Sequence, residues 1–371
     1  MNGFYWIYLI MLGFAVLHEL TPRQESRRLL YYGACGFLIL IFALQDGTVS
    51  VDIAEYMRQW QIIPELSFGE MLTHKFEIGY VLLCWVLERL FGQPRVLLAV
   101  LAVGILLPFA RSCEKETEDP MVALMAFVAL GMYIHAVIFW RQLMAMAILT
   151  WSFRFIRERR LLPFLAVVLL AMTFHKISVV FVFLYPIYRL PVNRRLLLGG
   201  IAAAVVLSVF SKPIVELGIA LFYPRYLEYP RLAEGGQTLL AMLWVVALLS
   251  YWLLKERMEE PKIRLPFLMI LTAAAIQPVC FAFFWFLRVV LIFRVALVPM
   301  TAALYRELFR NPENQAMALL EKRLPRLYQA VLPLYGKKWF AVAGQVALFA
   351  VLFVWYVSEL DGAVYAMAPV F

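Results

Sequence analysis

Arginine, histidine and acidic residues interrupt long apolar runs at a few points of this chain, and those points are where chemistry could reside. Arg141 follows the apolar run 121–140 with no spacer and opens another, in Phe139-Trp140-Arg141-Gln142. A planar guanidinium there can fork two bonds onto a phosphate or carboxylate, or it can snorkel toward water. Arg288 lies in a nearly unbroken apolar stretch from Pro266 to Pro299, with Arg294 six residues further on. Two cations in such a setting require an anion or acidic side chains nearby, although Arg294 could instead serve packing. His175 sits in Thr173-Phe174-His175-Lys176-Ile177-Ser178, a polar island between two apolar runs. A histidine in a wet cavity can relay a proton or bind a hydroxyl, whereas a lone histidine is usually a satisfied structural group. Asp52 and Tyr56 stand four apart and so share a helical face, and Glu77 follows in a segment able to fold over the same cavity. The alternative for these three is a solvated loop.

The elements that must position these residues follow from composition. Of 371 residues, 64% are hydrophobic and 16% charged, and the mean hydropathy is +0.80; soluble domains carry about 25% charged residues. One soluble core could not hide so many apolar stretches, so the chain reads as an all-α polytopic membrane protein. Measured against the roughly 20 residues a crossing needs, about twelve spans are expected. They lie near 3–20, 29–46, 94–112, 120–139, 142–156, 161–174, 176–190, 196–212, 238–254, 265–287, 289–305 and 339–358. The first stretch, Gly3 to Leu17, lacks a preceding basic region and a small-residue cleavage site, so it reads as a retained span. Between Glu77 and Glu88 only ten residues run uninterrupted, which marks 76–92 as a re-entrant or interfacial segment.

The net charge of +9 does not point to nucleic acid, because the cations cluster between apolar runs. The clusters are Arg23, Arg27 and Arg28; Arg154, Arg157, Arg159 and Arg160; Arg189, Arg194 and Arg195; and Lys322, Arg323, Arg326, Lys337 and Lys338. Positive-inside placement puts them all in the cytosol when 76–92 does not cross. The outer loops are then 47–93 and 213–237, and the basic segment 306–338 lies along the anionic inner surface. Residues 1–371 read as one integral membrane domain. Asp52, Tyr56, Glu77, Arg141, His175, Arg225 and Arg288 all fall toward the outer face, and the aromatic rings of 213–237 suit the headgroup layer. Cys35, Cys84, Cys113 and Cys280 are scattered among apolar residues and read as small core side chains. No glycine-rich phosphate loop, zinc-spaced histidine pair or Asp-x-Asp motif occurs, so no metal or cofactor is expected and phosphates would be held by arginine.

The order Asp52-x-x-x-Tyr56, Glu77-x-Gly79-Tyr80, Arg141-Gln142-x-x-Ala145, Phe174-His175, Arg225-Tyr226-x-x-Tyr229 and Arg288, with Phe293 and Pro299 downstream, resembles the EpsG family of Wzy-like exopolysaccharide polymerases. The resemblance covers roughly residues 30–300, and its fold is the GT-C-like helical bundle of Wzy-type glycosyltransferases. One departure is that the family usually has a serine two positions after the histidine, where this chain has Ile177 and then Ser178. The resemblance implies a metal-independent glycosyltransferase of a bacterial inner membrane. It would move a growing glycan from undecaprenyl pyrophosphate to an incoming lipid-linked repeat unit, with other export and chain-length proteins as partners. On that basis Arg141, Arg288 and Arg294 are assigned to the pyrophosphate, His175 or Glu77 to the acceptor hydroxyl, and Asp52, Tyr56, Tyr80, Gln142, Arg225, Tyr226 and Tyr229 to sugar.

Two other classes compete. A ligase or single-sugar transferase with a polyprenyl-linked donor needs nearly the same cavity. A flippase of lipid-linked sugars would favour inverted repeats, helices broken at mid-membrane and charges spread through the core.

Overall fold

The computed structural model describes residues 2–45, 51–222 and 236–363, and every regular element among them is helical. In apolar surroundings a helix satisfies its own backbone, which is why the apolar runs take this form. The first part of the chain comprises α1 (Asn2–Leu20), α2 (Gln24–Leu44), α3 (Val51–Ile62), α4 (Phe68–Leu72), α5 (Ile78–Phe91) and α6 (Pro94–Glu116). The middle contains α7 (Pro120–Ala129), α8 (Met132–Ile138), α9 (Trp140–Leu149), α10 (Phe153–Arg157), α11 (Leu161–Met172), the 3₁₀ stretch Lys176–Phe183 with α12 (Leu184–Ile187), and α13 (Arg194–Phe222). The last part has α14 (Gln237–Leu253), α15 (Pro261–Ile276), α16 (Leu287–Arg294), α17 (Leu297–Arg310), α18 (Gln315–Arg323), α19 (Pro325–Val331) and α20 (Lys338–Ala363). One apolar core runs through them, and it contains all four cysteines, which are free thiols.

Among the described residues five helices are long and apolar enough to cross a membrane: Gln24–Leu44, Pro94–Glu116, Arg194–Leu217, Pro261–Phe281 and Lys338–Val357. The number rises to seven if each of two bent pairs is a single crossing. Four apolar helices, Phe4–Leu20, Leu161–Met172, Lys176–Ile187 and Gln237–Leu253, are shorter. The expected count of about twelve exceeds what length alone supports, because twelve residues such as Leu161–Met172 rise only about 18 Å against a hydrocarbon layer of about 30 Å. The boundary expected at 213 also moves. Residues 213–222 belong to α13, with Pro213 inside the helix, because the apolar run continues past the proline and outweighs the hydrogen bond it removes.

Ion pairs gather the basic connections at one end of the bundle. Arg310 reaches Glu19 at 2.6 Å and Asp119 at 3.0 Å, Arg306 reaches Glu118 at 2.8 Å, and Arg157 grips Glu116 at 2.6 and 2.7 Å. Lys338 donates to the Leu20 carbonyl at 3.0 Å, and Arg264 to the Leu190 carbonyl at 2.9 Å. In the segment that follows, Leu319, Leu324 and Leu327 are exposed beside Lys322, Arg323 and Arg326.

One of the two bent pairs has an identifiable cause. α7 and α8 meet at 62°, where Gly131 adopts φ +74° and a Cβ would collide with the Tyr356 ring. Arg294 reaches the carbonyl of Leu130, freed by that bend, at 3.5 Å. The helices that begin at Leu287 and Leu297 meet at 40°.

Candidate functional site

At the end of the bundle opposite the ion-paired connections, the segment from α3 to α5 folds over Trp140, Arg141 and the turn at 173–176. Its course is set locally. Ser67 and Glu70 form a capping box that starts α4, since a hydroxyl at this position satisfies an otherwise orphaned helix N–H. His74 then accepts from the Phe76 backbone N–H at 3.0 Å through Nδ1, while its Nε2 lies 2.9 Å from Gln59 Oε1. This turn presents Phe76 and Glu77 to the helices beneath.

Glu77 occupies the N-cap of α5 but makes no cap with its side chain; the carboxylate is used elsewhere. Oε2 accepts from Arg141 Nη1, and Oε1 accepts from the Lys176 backbone N–H at 3.1 Å and lies 3.4 Å from His175 Nδ1. Three separate chain segments therefore meet on one acid. The approach depends on Gly79, whose N–H donates to the Thr173 carbonyl at 2.7 Å. A Cβ at that position would lie 2.7 Å from the same carbonyl oxygen and 2.9 Å from Thr173 Cβ. Gly79→Ala is expected to push α5 off the Thr173–His175 turn, cost about 1–3 kcal/mol of stability and lower activity with it. Thermal unfolding of the purified protein checks this, and an unchanged midpoint would refute the packing argument.

Burial alone would raise the Glu77 carboxyl, but the approach of His175 and the charge of Arg141 outweigh burial and bring it down to about 2. The carboxylate is thus a fixed anion and a poor base. Burial lowers the pKa of His175 below its ordinary value, opposed by the approach and charge of Glu77. The imidazole is 6% exposed, and neither ring nitrogen completes a hydrogen bond: Nδ1 stops 3.4 Å from Glu77 and Nε2 has no partner. With Nδ1 turned to an acid, Nε2 is left as the proton acceptor.

Arg141 leans over Phe76 with its guanidinium carbon 4.2 Å from the ring centre, and lies 5.8 Å from that of Tyr56. Tyr56 stacks on Trp140 at 4.8 Å. Tyr80 is fully buried, 5.5 Å from Tyr56 and 5.6 Å from Phe76, so its ring supports this floor. Arg288 lies 5.0 Å from the Trp285 ring and 5.8 Å from that of Phe139, and Gln142 Nε2 donates to its carbonyl at 2.6 Å. Among the described residues Arg288 forms no ion pair. Its charge and that of Arg141 both act on Tyr56 and His175. Asp52, in the first turn of α3, acts on Tyr56 in the opposite sense.

The structure therefore brings together Asp52, Tyr56, Glu77, Tyr80, Arg141, Gln142, His175 and Arg288. Arg294 is placed apart, 3% exposed between the Leu130 carbonyl and the Trp355 ring, so it supports the bend rather than this site. Arg225, Tyr226 and Tyr229 lie outside the described residues. Phe76, Gly79 and Trp285 belong to the site without having been singled out for a role. Gly79 stood in the Glu77-x-Gly79-Tyr80 pattern, and Trp285 stands three residues before Arg288, one helical turn away.

The family model described as "EpsG family" matches residues 4–320 of this chain. No curated protein and no solved structure matches it.

Proposed function

The chain belongs to the EpsG family, and from that premise we propose that it is a polysaccharide polymerase. It transfers a growing glycan from undecaprenyl pyrophosphate to the terminal sugar of a lipid-linked repeat unit, at the periplasmic face of a bacterial inner membrane. The twelve-span topology with α5 partly embedded is part of this reading. The observation that carries it is the Glu77–Arg141–His175 cluster beside an arginine that no described acid neutralises.

A diphosphate is already a good leaving group, so the protein must align the acceptor hydroxyl with the anomeric carbon, take its proton and stabilise the departing charge. Glu77 holds His175 by Nδ1, and Nε2 takes the hydroxyl proton as the new glycosidic bond forms. The bond from the anomeric carbon to the diphosphate oxygen breaks with its electron pair left on that oxygen, and Arg288 stabilises the negative charge that develops there. Arg141, shared with Glu77, aligns that acid and adds to the field. Asp52 and Tyr56 contact sugar. No residue here requires a metal ion for these roles.

Deleting the gene and separating the surface glycan on a gel tests the reading: single repeat units without long chains are expected, and intact long chains would overturn it. The kcat/KM profile gives a second check. His175 must be neutral, and its folded pKa lies below 6.5, so the acid limb of kcat/KM should be centred below pH 6.5. Glu77 remains ionised down to about 2 and adds no limb in that range. The same shift makes the folded state bind fewer protons than the unfolded chain near pH 6, so the stability His175 contributes is present above its unfolded pKa and shrinks on acidification. An acid limb centred above 6.5 would remove His175 as the base.

The bent helices favour the transport reading, since flippases use helices broken at mid-membrane. Here, however, Tyr356 fills the space at Gly131 and Arg294 reaches the freed carbonyl of Leu130. Packing therefore fills the bend at that point.

A further inference from the structure

Polymerisation joins two lipid-linked molecules, and their diphosphates cannot occupy equivalent positions. The donor reacts at the anomeric carbon that bears its diphosphate, so that group must sit at the reacting centre. The acceptor reacts at its far sugar, so its diphosphate must be held away from the centre by the length of a repeat unit. A second cationic station at such a remove is therefore required if the proposed function is right.

α5 supplies one. Its beginning carries Glu77, and its last turn carries Arg89, twelve residues on, or about 18 Å at the helical rise. Arg89 stacks over the Trp85 ring at 4.3 Å and reaches the Pro64 carbonyl at 3.5 Å. Just beyond the left-handed Gly92, Arg95 donates to the Gln45 carbonyl at 3.1 Å. Neither arginine forms an ion pair among the described residues, and both are exposed. The side-chain amide of Gln45, the residue whose carbonyl Arg95 reaches, is buried, with neither its oxygen nor its nitrogen hydrogen-bonded.

We infer that Arg89 and Arg95, with Trp85 and the Gln45 amide, hold the diphosphate of the acceptor lipid, while its sugars extend along α5 toward His175. This rests on the polymerase reading. Guanidinium forks suit diphosphate oxygens without a metal, and the separation along α5 matches a repeat unit of a few sugars rather than a single one.

The test is native mass spectrometry of the full-length protein in nanodiscs of zwitterionic lipid, with undecaprenyl diphosphate as probe. Two probe molecules per chain are expected for the wild type, one for R288A, one for R89A/R95A and none for the triple variant. The molecule retained by R89A/R95A shows that this variant is folded, and R89K/R95K should recover part of the second site. In turnover, R89A/R95A should raise the KM for added acceptor by at least about tenfold with kcat unchanged. Retention of two molecules by R89A/R95A overturns the inference. So does displacement of the second molecule by excess phosphatidylglycerol, which would mark an ordinary headgroup contact. A wild type that binds one molecule, lost in R288A, overturns the inference and leaves the polymerase reading standing; a wild type that binds none removes both.

Discussion

Replacing His175 with alanine is expected to lower the rate of chain extension by about 10²–10⁴-fold, the range for loss of a positioned general base. The effect should fall on kcat, because Nε2 meets the acceptor hydroxyl only as the proton moves, while the donor diphosphate is held by Arg288. The imidazole is buried with Nδ1 3.4 Å from Glu77, so its removal also leaves part of that carboxylate uncompensated; His175→Gln retains a donor near Nδ1 but supplies no base. Equal losses in the two variants, measured with purified protein and lipid-linked substrate, are the expected result. A glutamine variant that extends chains at the wild-type rate would show that the acceptor needs no base from this residue.

Arg288→Ala carries the second large effect. With no acid to neutralise it among the described residues and two aromatic rings against it, this cation sits in a weakly screened setting where a developing negative charge gains most. Its loss should cost about 10²–10³-fold in kcat, as removal of a preorganised oxyanion partner does. Arg288→Lys should restore part of the rate through its charge but not the planar fork. Arg294→Ala differs: that residue faces Leu130 and Trp355, so the unfolding temperature should fall more than the rate. Ladders of normal length from Arg288→Ala would remove the leaving-group role.

The membrane class was legible because composition and run length express a solvent preference directly. Glu77, Arg141, His175 and Arg288, which the fold brings together, also stood out one by one, since ionic residues are costly inside apolar runs, about 2.5–3.5 kcal/mol at the bilayer centre. Their partners were less legible. Arg141 and Arg288 looked equivalent as isolated cations, yet the fold gives Glu77 to one and none of its described acids to the other. Nothing local announces a contact between residues 77 and 141. Arg294 looked like a companion of Arg288, but six helical residues turn it to a different face, where it serves the bend at Leu130. The loop expected from 213 begins later, because α13 continues through the apolar residues after Pro213 to Phe222.

The arrangement around Glu77 also governs when the protein can begin to work. Its partners lie 64 and 99 residues further along the chain, so on the ribosome this acid emerges long before anything can hold it. Until Arg141 and Lys176 have been threaded into the bilayer, the newborn polypeptide must keep Glu77 hydrated at the surface or protonated, with α5 undocked. Docking of α5 can be completed only once residue 176 has emerged, and Arg288 follows a further 112 residues later. An interrupted translation product ending before residue 176 would be inserted yet inert, and could not consume lipid-linked precursors prematurely.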